Sequence, residues 1–397
     1  MSEGGLAGGR LARMQDVMAG HVARGDVPGL VWLVARHGDV QSGVVGTLET
    51  GDGEPVRQDT IFRISSMTKP VTAVAALILV EECLLRLDEP VDRLLPELAN
   101  RWVLARPDGP LDETVPAIQP ITVRDLLTFR LGLGMDFAAS APQPVLTAMA
   151  ELDLCVGPPA PAGPPPPDEW MRRLGTLPLE HQPGARWLYD TGAEILGVLI
   201  ARAAGQPFEM FLRERIFEPL GMRDTGFAVP ASDLGRFGPC YSTNPATGAR
   251  QVYDPREGQW SRPPAFPSGG AGLVSTVVDY LAFAEMLRAG GTHRGERILS
   301  RPSIEAMTTD HLADLGPGPD PSGALGWGFG VGVQRRRTGP ARSVGTYGWD
   351  GGLGSQWAND PAEDLIGILM TNQSWTSPTP PLVCNDFWAC AYAAIDD

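Results

Sequence analysis

The chain has 397 residues, enough for two compact lobes around a cleft, and its 43% hydrophobic and 20% charged residues are typical of a globular protein. The net charge of −15 would repel nucleic-acid phosphates. The longest nearly unbroken apolar run, Val71–Val80, is half of the roughly 20 residues that a membrane-spanning helix needs. The sequence therefore argues against a nucleic-acid-binding or a transmembrane protein.

The N-terminal region and the cysteines indicate the compartment. The first 30 residues carry charges throughout and lack an apolar stretch as long as that of a secretory signal. The five cysteines are odd in number and show neither a CxxC pair nor the spacing of zinc ligands. We therefore expect a cytoplasmic protein with free thiols and without metal, a disulfide between Cys384 and Cys390 being the alternative.

The N-terminal quarter shows strand patterns followed by one apolar helix. Leu30–Arg36 is an apolar run, residues 37–39 give a turn signal, and Val40–Val45 can return as a hairpin partner. A strand-like stretch at Thr60–Ile64 leads into a segment from Met67 to about Leu85 that is apolar nearly all round. Such a segment predicts a buried helix.

From about Arg86 the pattern changes to helices joined by connections rich in proline and glycine. Residues 156–167 include seven prolines, which predicts a stiff insertion at the surface, with a functional lid as the alternative. Thr191–Ala204 has the pattern of an amphipathic helix. Thr191 and Glu194 stand three residues apart at its start, which predicts a capping box.

Towards the C terminus the pattern returns to strands. The predicted elements are strands at 327–333, 343–349, 355–359 and 365–371 and a helix at 381–393. Strands at both ends with helices between them predict an α/β domain, an antiparallel sheet flanked by helices, formed by residues 1–85 and 262–397. A mainly helical domain, residues 86–261, would be inserted, and we expect the active site in the cleft between the two.

One lysine stands out. Of the 32 basic side chains, 31 are arginine, and Lys69 is the single lysine. Arginine can replace lysine where a surface charge is enough, but guanidinium cannot give up its proton at ordinary pH. Ser66 precedes Lys69 by three residues, so the two side chains would leave the same helix face and could hydrogen-bond. The spacing predicts a serine nucleophile that a neutral lysine activates.

The context Phe62–Pro70 resembles the serine β-lactamase-like hydrolases, which include class C β-lactamases, penicillin-binding DD-peptidases and family VIII carboxylesterases. Further matches to family signatures lie at 182–184, 187–189, 217–222 and 268–276. The resemblance implies the β-lactamase/transpeptidase-like fold and makes Tyr189 the proton shuttle beside Lys69. The family's second motif, usually Tyr-x-Asn, lies here at residues 189–191, and Thr191 stands in place of the asparagine. Thr191 could reach Lys69 with its hydroxyl, but we expect it to cap the helix instead.

The segment Tyr347–Gly352 matches the third family motif, a strand that lines the cleft. By resemblance, the Gly352 and Ser66 amides form the oxyanion hole, and Trp349, Asp350 and Gly351 bind substrate. Trp349 stands where β-lactamases place a cation for a substrate carboxylate. A tryptophan offers an apolar wall and one N–H donor instead, which resembles family VIII esterases more closely.

These residues predict a serine hydrolase that cleaves small acyl esters through an acyl-Ser66 intermediate, without cofactor or metal. An acyltransferase that passes the acyl group to a metabolite is the alternative with the same chemistry. A β-lactamase or DD-peptidase is a further alternative, and a non-catalytic binding module is the alternative from another class. The expected partner is a small-molecule ester or acyl substrate, with neither nucleic acid nor membrane, and the sequence leaves the oligomeric state open.

Overall fold

The computed structural model describes residues 4–51, 53–139, 143–313, 318–320 and 322–397. Numbered in chain order, the strands of the described part are β1 Gly29–Arg36, β2 Asp39–Gly46, β3 Phe62–Arg63, β4 Trp102–Leu104, β5 Thr114–Pro116, β6 Cys240–Thr243, β7 Arg250–Asp254, β8 Val274–Ser275, β9 Thr292–His293, β10 Glu296–Arg297, β11 Leu325–Trp327, β12 Gly332–Gln334, β13 Tyr347–Gly351, β14 Ser355–Asp360 and β15 Leu365–Thr371.

Helices surround the sheet and fill the middle of the chain. The α-helices of the described part are α1 Gly8–Ala23, α2 Thr68–Glu81, α3 Val123–Leu127, α4 Pro144–Glu151, α5 Pro167–Leu174, α6 Thr191–Ala204, α7 Phe208–Leu212, α8 Glu218–Leu220, α9 Val277–Arg288, α10 Arg301–Met307 and α11 Leu382–Ala393. A π-helical stretch, Arg213–Phe217, joins α7 to α8, and short 3-10 turns include Ser65–Met67 before α2.

The main sheet has seven strands in the order β11-β12-β13-β14-β15-β1-β2, and every neighbouring pair is antiparallel. The sequence therefore predicted the sheet type correctly, and both ends of the chain supply its strands. Strand β1 is buried along its whole length. Because successive side chains point to opposite faces, one set packs with α1 and α11 and the other joins the large core around α2 and α9.

Helix α2 is the central helix of this core. Its residues Thr68–Leu79 are all buried, which confirms the buried helix predicted here. Fully burying a valine or leucine side chain contributes about 1.5–3 kcal/mol, so α2 is firmly anchored in this core, where it packs against α6. The element that follows the Ser66 position is therefore a rigid support.

Several local predictions are confirmed and two are wrong. The β1–β2 hairpin and the helix Thr191–Ala204 are present as predicted. The predicted strand 327–333 is two short strands, β11 and β12, because Gly328, Phe329 and Gly330 turn the chain back. Gly330 has a φ of +70°, a conformation that favours glycine. The capping box of α6 is absent, since no side chain caps its first residue.

No single helix of the described ranges is long and apolar enough to cross a membrane. One pair, Thr191–Ala204 with Phe208–Leu220, meets the length and composition criteria only when taken together across an 81° bend.

Candidate active site

Ser66 lies where strand β3 enters helix α2. The short strand pairs with β8, and a 3-10 turn over Ser65–Met67 carries the chain into the helix. From Thr60 to Leu79, Ser66 is the one residue that is not buried. The fold therefore presents a single hydroxyl to solvent from an otherwise buried segment.

Lys69 is fully buried, and its ammonium group has three close oxygen neighbours. Nζ lies 3.0 Å from Ser66 Oγ, 2.8 Å from the Gly270 carbonyl oxygen and 2.6 Å from Asp190 Oδ1. An ammonium group has three protons to donate, so this arrangement satisfies its charged form. The serine–lysine contact is the one that the three-residue spacing predicted.

Asp190 changes the predicted charge of the site. Burial is the largest single effect and disfavours a charged Lys69. The charges of Asp190, Tyr189 and Glu194 and the hydrogen bond with Asp190 together outweigh burial, so the pKa of Lys69 is raised. The raised pKa and the 2.6 Å contact with Asp190 favour the ammonium form of Lys69 at rest, whereas the sequence predicted a neutral lysine.

The backbone around Asp190 is strained. Its φ is +85° and its ψ is −62°, and the Thr191 amide donates to the Tyr189 carbonyl oxygen over 3.2 Å. These values define a γ-turn, which is rare for a residue other than glycine. The turn brings the Asp190 carboxylate to Lys69 while the next residue begins helix α6. Thr191 therefore takes neither of the roles weighed for it from the sequence, because it does not cap the helix and Asp190 occupies the contact with Lys69.

Tyr189 lies between Lys69 and Trp349. Lys69 Nζ lies 4.5 Å from the centre of its ring, and Trp349 Nε1 donates to its hydroxyl over 2.8 Å. Burial raises the pKa of the Tyr189 phenol, although Lys69, Trp349 and a hydrogen bond with Ser66 act in the opposite direction. The structure thus brings Ser66, Lys69 and Tyr189 together, as the resemblance implied. It also gives the Trp349 N–H group a protein partner.

The glycine-rich end of β13 packs directly on the entry to Ser66. A side chain at Gly351 would place its Cβ 2.2 Å from the Ile64 carbonyl oxygen, and Ser355 Oγ donates to the same oxygen over 3.0 Å. A Cβ at Gly352 would meet nothing among the described residues within 4 Å. Gly351 is therefore a close-packing residue, while Gly352 borders open space beside the segment that carries Ser66.

Asp350 lies on the other face of strand β13. Strand alternation places its side chain on the face opposite to the side chain of Trp349 and to the Cβ position of Gly351. Its neighbours there include Arg342, whose guanidinium lies 3.9 Å away, and Cys384 of helix α11. The structure does not bring Asp350 to Ser66, so its predicted contact with substrate is not supported by its position.

Glu194 is a further carboxyl group beside Lys69. It is one helical turn beyond Asp190 on α6, it is buried, and its Oε1 accepts a 2.7 Å hydrogen bond from Ser268 Oγ. Burial, with the charge of Asp190 adding to it, raises the pKa of Glu194 to about 7. Neither carboxylate was predicted from the sequence as part of the site. An acidic residue amid the apolar face of α6 was the signal for Glu194, whereas nothing in the sequence indicated the turn at Asp190.

A cavity of about 180 Å³ lies behind the two carboxylates. Its wall includes Asp190, Glu194, Phe266 and residues 153–161 and 163–164 of the proline-rich stretch. The Tyr253 hydroxyl donates to the Pro159 carbonyl oxygen over 2.6 Å and fixes this stretch. The predicted surface insertion therefore also forms a wall next to the site.

Comparison with known proteins identifies the family. The family model described as Beta-lactamase matches residues 14–381. The chain belongs to the beta-lactamase family. Protein Rv1367c of Mycobacterium tuberculosis is 38% identical over 373 residues, covering 91% of this chain and 89% of the relative. Esterase EstB of Burkholderia gladioli is 32% identical over 397 residues, covering 94% and 92%.

A solved structure agrees with the sequence relatives. EstCE1, described as a hydrolase with promiscuous acyltransferase activity, superposes with a TM-score of 0.77 at 26% identity, covering 96% of this chain and 98% of that one. The fold is therefore the β-lactamase/transpeptidase-like fold that the sequence predicted. Together with the family match and the esterase-named relative, it makes this chain a serine hydrolase.

Proposed function

We propose that the chain hydrolyses small acyl esters through an acyl-Ser66 intermediate. The observation that carries the proposal is the contact of the partly exposed Ser66 hydroxyl with the buried Lys69 ammonium at 3.0 Å, with Tyr189 against both. EstB is named an esterase, which supports this choice among the reactions of the family.

In the first half-reaction, Ser66 Oγ forms a bond to the carbonyl carbon of the ester, and the carbonyl electron pair moves to the oxygen. The serine proton passes to Lys69 as Lys69 hands its own proton to Asp190, which lies 2.6 Å away. This relay is needed because an ammonium ion cannot accept a proton. The Ser66 and Gly352 amides would hold the oxyanion, and the position of Gly351 against Ile64 supports that role.

When the tetrahedral intermediate collapses, the bond to the leaving alcohol breaks. The Tyr189 hydroxyl gives its proton to the alkoxide, and the phenolate is stabilised by Lys69 and by the Trp349 N–H group. Lys69 then returns a proton to Tyr189 and recovers its own from Asp190. In the second half-reaction, Lys69 passes a proton to Asp190 and takes that of Tyr189, whose phenolate accepts a proton from the attacking water. The bond between the acyl carbon and Ser66 Oγ then breaks, Lys69 returns a proton to Oγ and recovers its own from Asp190, and the acid leaves.

The site favours neutral esters over penicillins. Trp349 occupies the position that resembles the cation site of β-lactamases, and its N–H group is bound to Tyr189. A substrate carboxylate would therefore meet an apolar ring there, and the neighbouring cation, Lys69, is already paired with Asp190. We propose small, uncharged acyl esters as the substrate partner.

Acyl transfer is the second candidate function. The observation that favours it is the structural likeness to EstCE1, whose description includes promiscuous acyltransferase activity. An alcohol that enters in place of water would take the acyl group by the same proton steps. Hydrolysis and transfer then compete for one intermediate.

The test compares wild type with Ser66→Ala on p-nitrophenyl butyrate and on a penicillin. We expect ester turnover by wild type, its loss in the variant, and a kcat/KM for the ester above that for the penicillin. Adding a primary alcohol measures transfer as the fraction of butyrate ester formed. A preference for the penicillin would favour the β-lactamase alternative, and absence of any turnover would favour a binding module.

We also propose a cytoplasmic location. Its support is that all five cysteines are free thiols, as expected in a reducing compartment. Fractionation of the native organism's cells, followed by detection of the protein with an antibody, tests it.

A further inference from the structure

Lys69 donates one of its three hydrogen bonds to a backbone carbonyl oxygen, that of Gly270. This carbonyl belongs to Ser268–Leu273, called here the glycine segment. Such a segment has few side chains to anchor it, so its position depends on the groups that bind its backbone. The position of the Gly270 carbonyl relative to Lys69 therefore depends on the groups that contact this segment.

The two ends of the glycine segment are bound to helix α2. Thr72 Oγ1 donates to the Gly269 carbonyl oxygen over 2.7 Å, and the Leu273 amide donates to Thr68 Oγ1 over 3.1 Å. Neither contact fixes the peptide between Gly270 and Ala271, whose carbonyl oxygen accepts from Lys69. A third support is needed in the middle of the segment.

Glu194 supplies that support from helix α6. Its carboxylate accepts from Ser268 Oγ at 2.7 Å and from the Gly270 amide, and Ser268 Oγ accepts in turn from the Ala271 amide at 2.9 Å. The packing is tight, because a Cβ at Gly270 would lie 2.5 Å from Glu194 Oε1. The carboxylate thus binds the Gly270 amide directly and the Ala271 amide through Ser268. These two amides lie on either side of the carbonyl that accepts from Lys69.

We propose that Glu194 is a positioning residue, which holds the glycine segment so that the Gly270 carbonyl orients Lys69 toward Ser66. The inference rests on the proposed function, in which Lys69 relays the Ser66 proton. The second carboxylate oxygen of Glu194, Oε2, has no hydrogen-bond partner among the described residues. The ionisable groups around this carboxyl are Asp190, Lys69 and Cys155. Glu194 touches neither Ser66 nor the expected position of the ester.

The experiment compares wild type, Glu194→Ala and Glu194→Gln on p-nitrophenyl butyrate, with melting temperatures for each. In Glu194→Ala we expect kcat to fall roughly tenfold to hundredfold with KM nearly unchanged, because a small misplacement of a catalytic group has effects of that size. Glutamine keeps an acceptor oxygen at the same distance, so Glu194→Gln should recover a large part of this loss.

Glu180→Gln is the matched control. Glu180 is also buried and binds Gln143 at 2.5 Å, but it has no contact with the glycine segment among the described interactions. We expect it to lower the melting temperature without a fall in kcat. The same pattern in Glu194→Ala, a lower melting temperature with kcat unchanged, would overturn the proposal. So would an equal loss in the glutamine and alanine variants, because charge rather than positioning would then explain it.

Ser268→Ala covers the case in which Glu194→Ala does not fold. It removes the hydroxyl that connects Glu194 to the Ala271 amide and leaves the carboxyl in place. We expect a several-fold loss of kcat at constant KM. Wild-type kcat in this variant would contradict the inference. The labelling of Ser66 by a fluorophosphonate separates the two claims, since a wild type that neither labels nor hydrolyses esters refutes the proposed function itself.

Discussion

The hydrogen bond from Trp349 to Tyr189 gives a prediction that the sequence alone did not. Trp349→Phe keeps an aromatic ring against Tyr189 and removes the N–H group that donates to its hydroxyl over 2.8 Å. In the proposed mechanism this hydroxyl becomes a phenolate when the alcohol leaves. The bond should therefore be stronger in the transition state than at rest.

The effect on kcat of losing this hydrogen bond can be calculated from typical hydrogen-bond strengths. A hydrogen bond between neutral groups contributes about 0.5–1.5 kcal/mol and one to a charged group about 1.5–3 kcal/mol, so this bond should gain about 1–1.5 kcal/mol in the transition state. Because about 1.4 kcal/mol corresponds to a tenfold change in rate, we expect kcat for p-nitrophenyl acetate to fall roughly fivefold to tenfold, with KM nearly unchanged. Steady-state kinetics of the purified variant, with its melting temperature, measure both quantities.

Trp327→Phe is the control for this experiment. Trp327 packs edge-on against Trp349, with ring centres 4.6 Å apart, and its N–H group donates to the Leu127 carbonyl over 3.3 Å rather than to Tyr189. We expect a loss of stability with little change in kcat. A Trp349→Phe variant that raises KM and keeps kcat would refute the reasoning, and would return Trp349 to the substrate-binding role predicted from the sequence.

Three further predictions concern the groups around Lys69. Lys69→Arg should fold and lose at least about a hundredfold in p-nitrophenyl ester turnover, because guanidinium cannot relay a proton, and near-normal turnover would remove Lys69 from the mechanism. Tyr189→Phe should lose roughly two or more decades of kcat with a nearly unchanged melting temperature, whereas a structural tyrosine would lose only about 0.5–1.5 kcal/mol of stability and little activity. Burial raises the pKa of Glu194 from 4.5 to about 7, so the folded protein binds this proton more tightly than the unfolded chain does. The free energy of unfolding should therefore fall between about pH 4.5 and pH 7, by roughly 3 kcal/mol from this group, and urea titrations of Glu194→Gln should show a smaller fall; an identical pH dependence in the variant would contradict the assignment.

The sequence predicted those parts of the fold that local patterns determine. The β1–β2 hairpin follows from an apolar run and a turn signal, helices α2 and α6 follow from their periodicity and length, and the Ser66–Lys69 contact follows from helical spacing. Each of these depends on residues that are neighbours along the chain. The single lysine added chemical information of the same local kind.

The parts that failed depend on contacts between distant residues or on backbone strain. The sequence predicts Glu194 as part of a helix cap, but its partner Ser268 is 74 residues away. Asp190 reaches Lys69 through a strained turn that no residue pattern indicates. Asp350 is different, because strand alternation from Gly351 could have placed it on the far face of the sheet.

The identity of the nucleophile is the central claim, and one mass measurement tests it most directly. Wild type and Ser66→Ala are exposed to a fluorophosphonate, and intact masses are followed by mapping of the modified peptide. We expect one adduct per wild-type chain, located on Ser66, and none in the variant. An adduct of the same stoichiometry in Ser66→Ala, or an unmodified wild type that still hydrolyses esters, would contradict it.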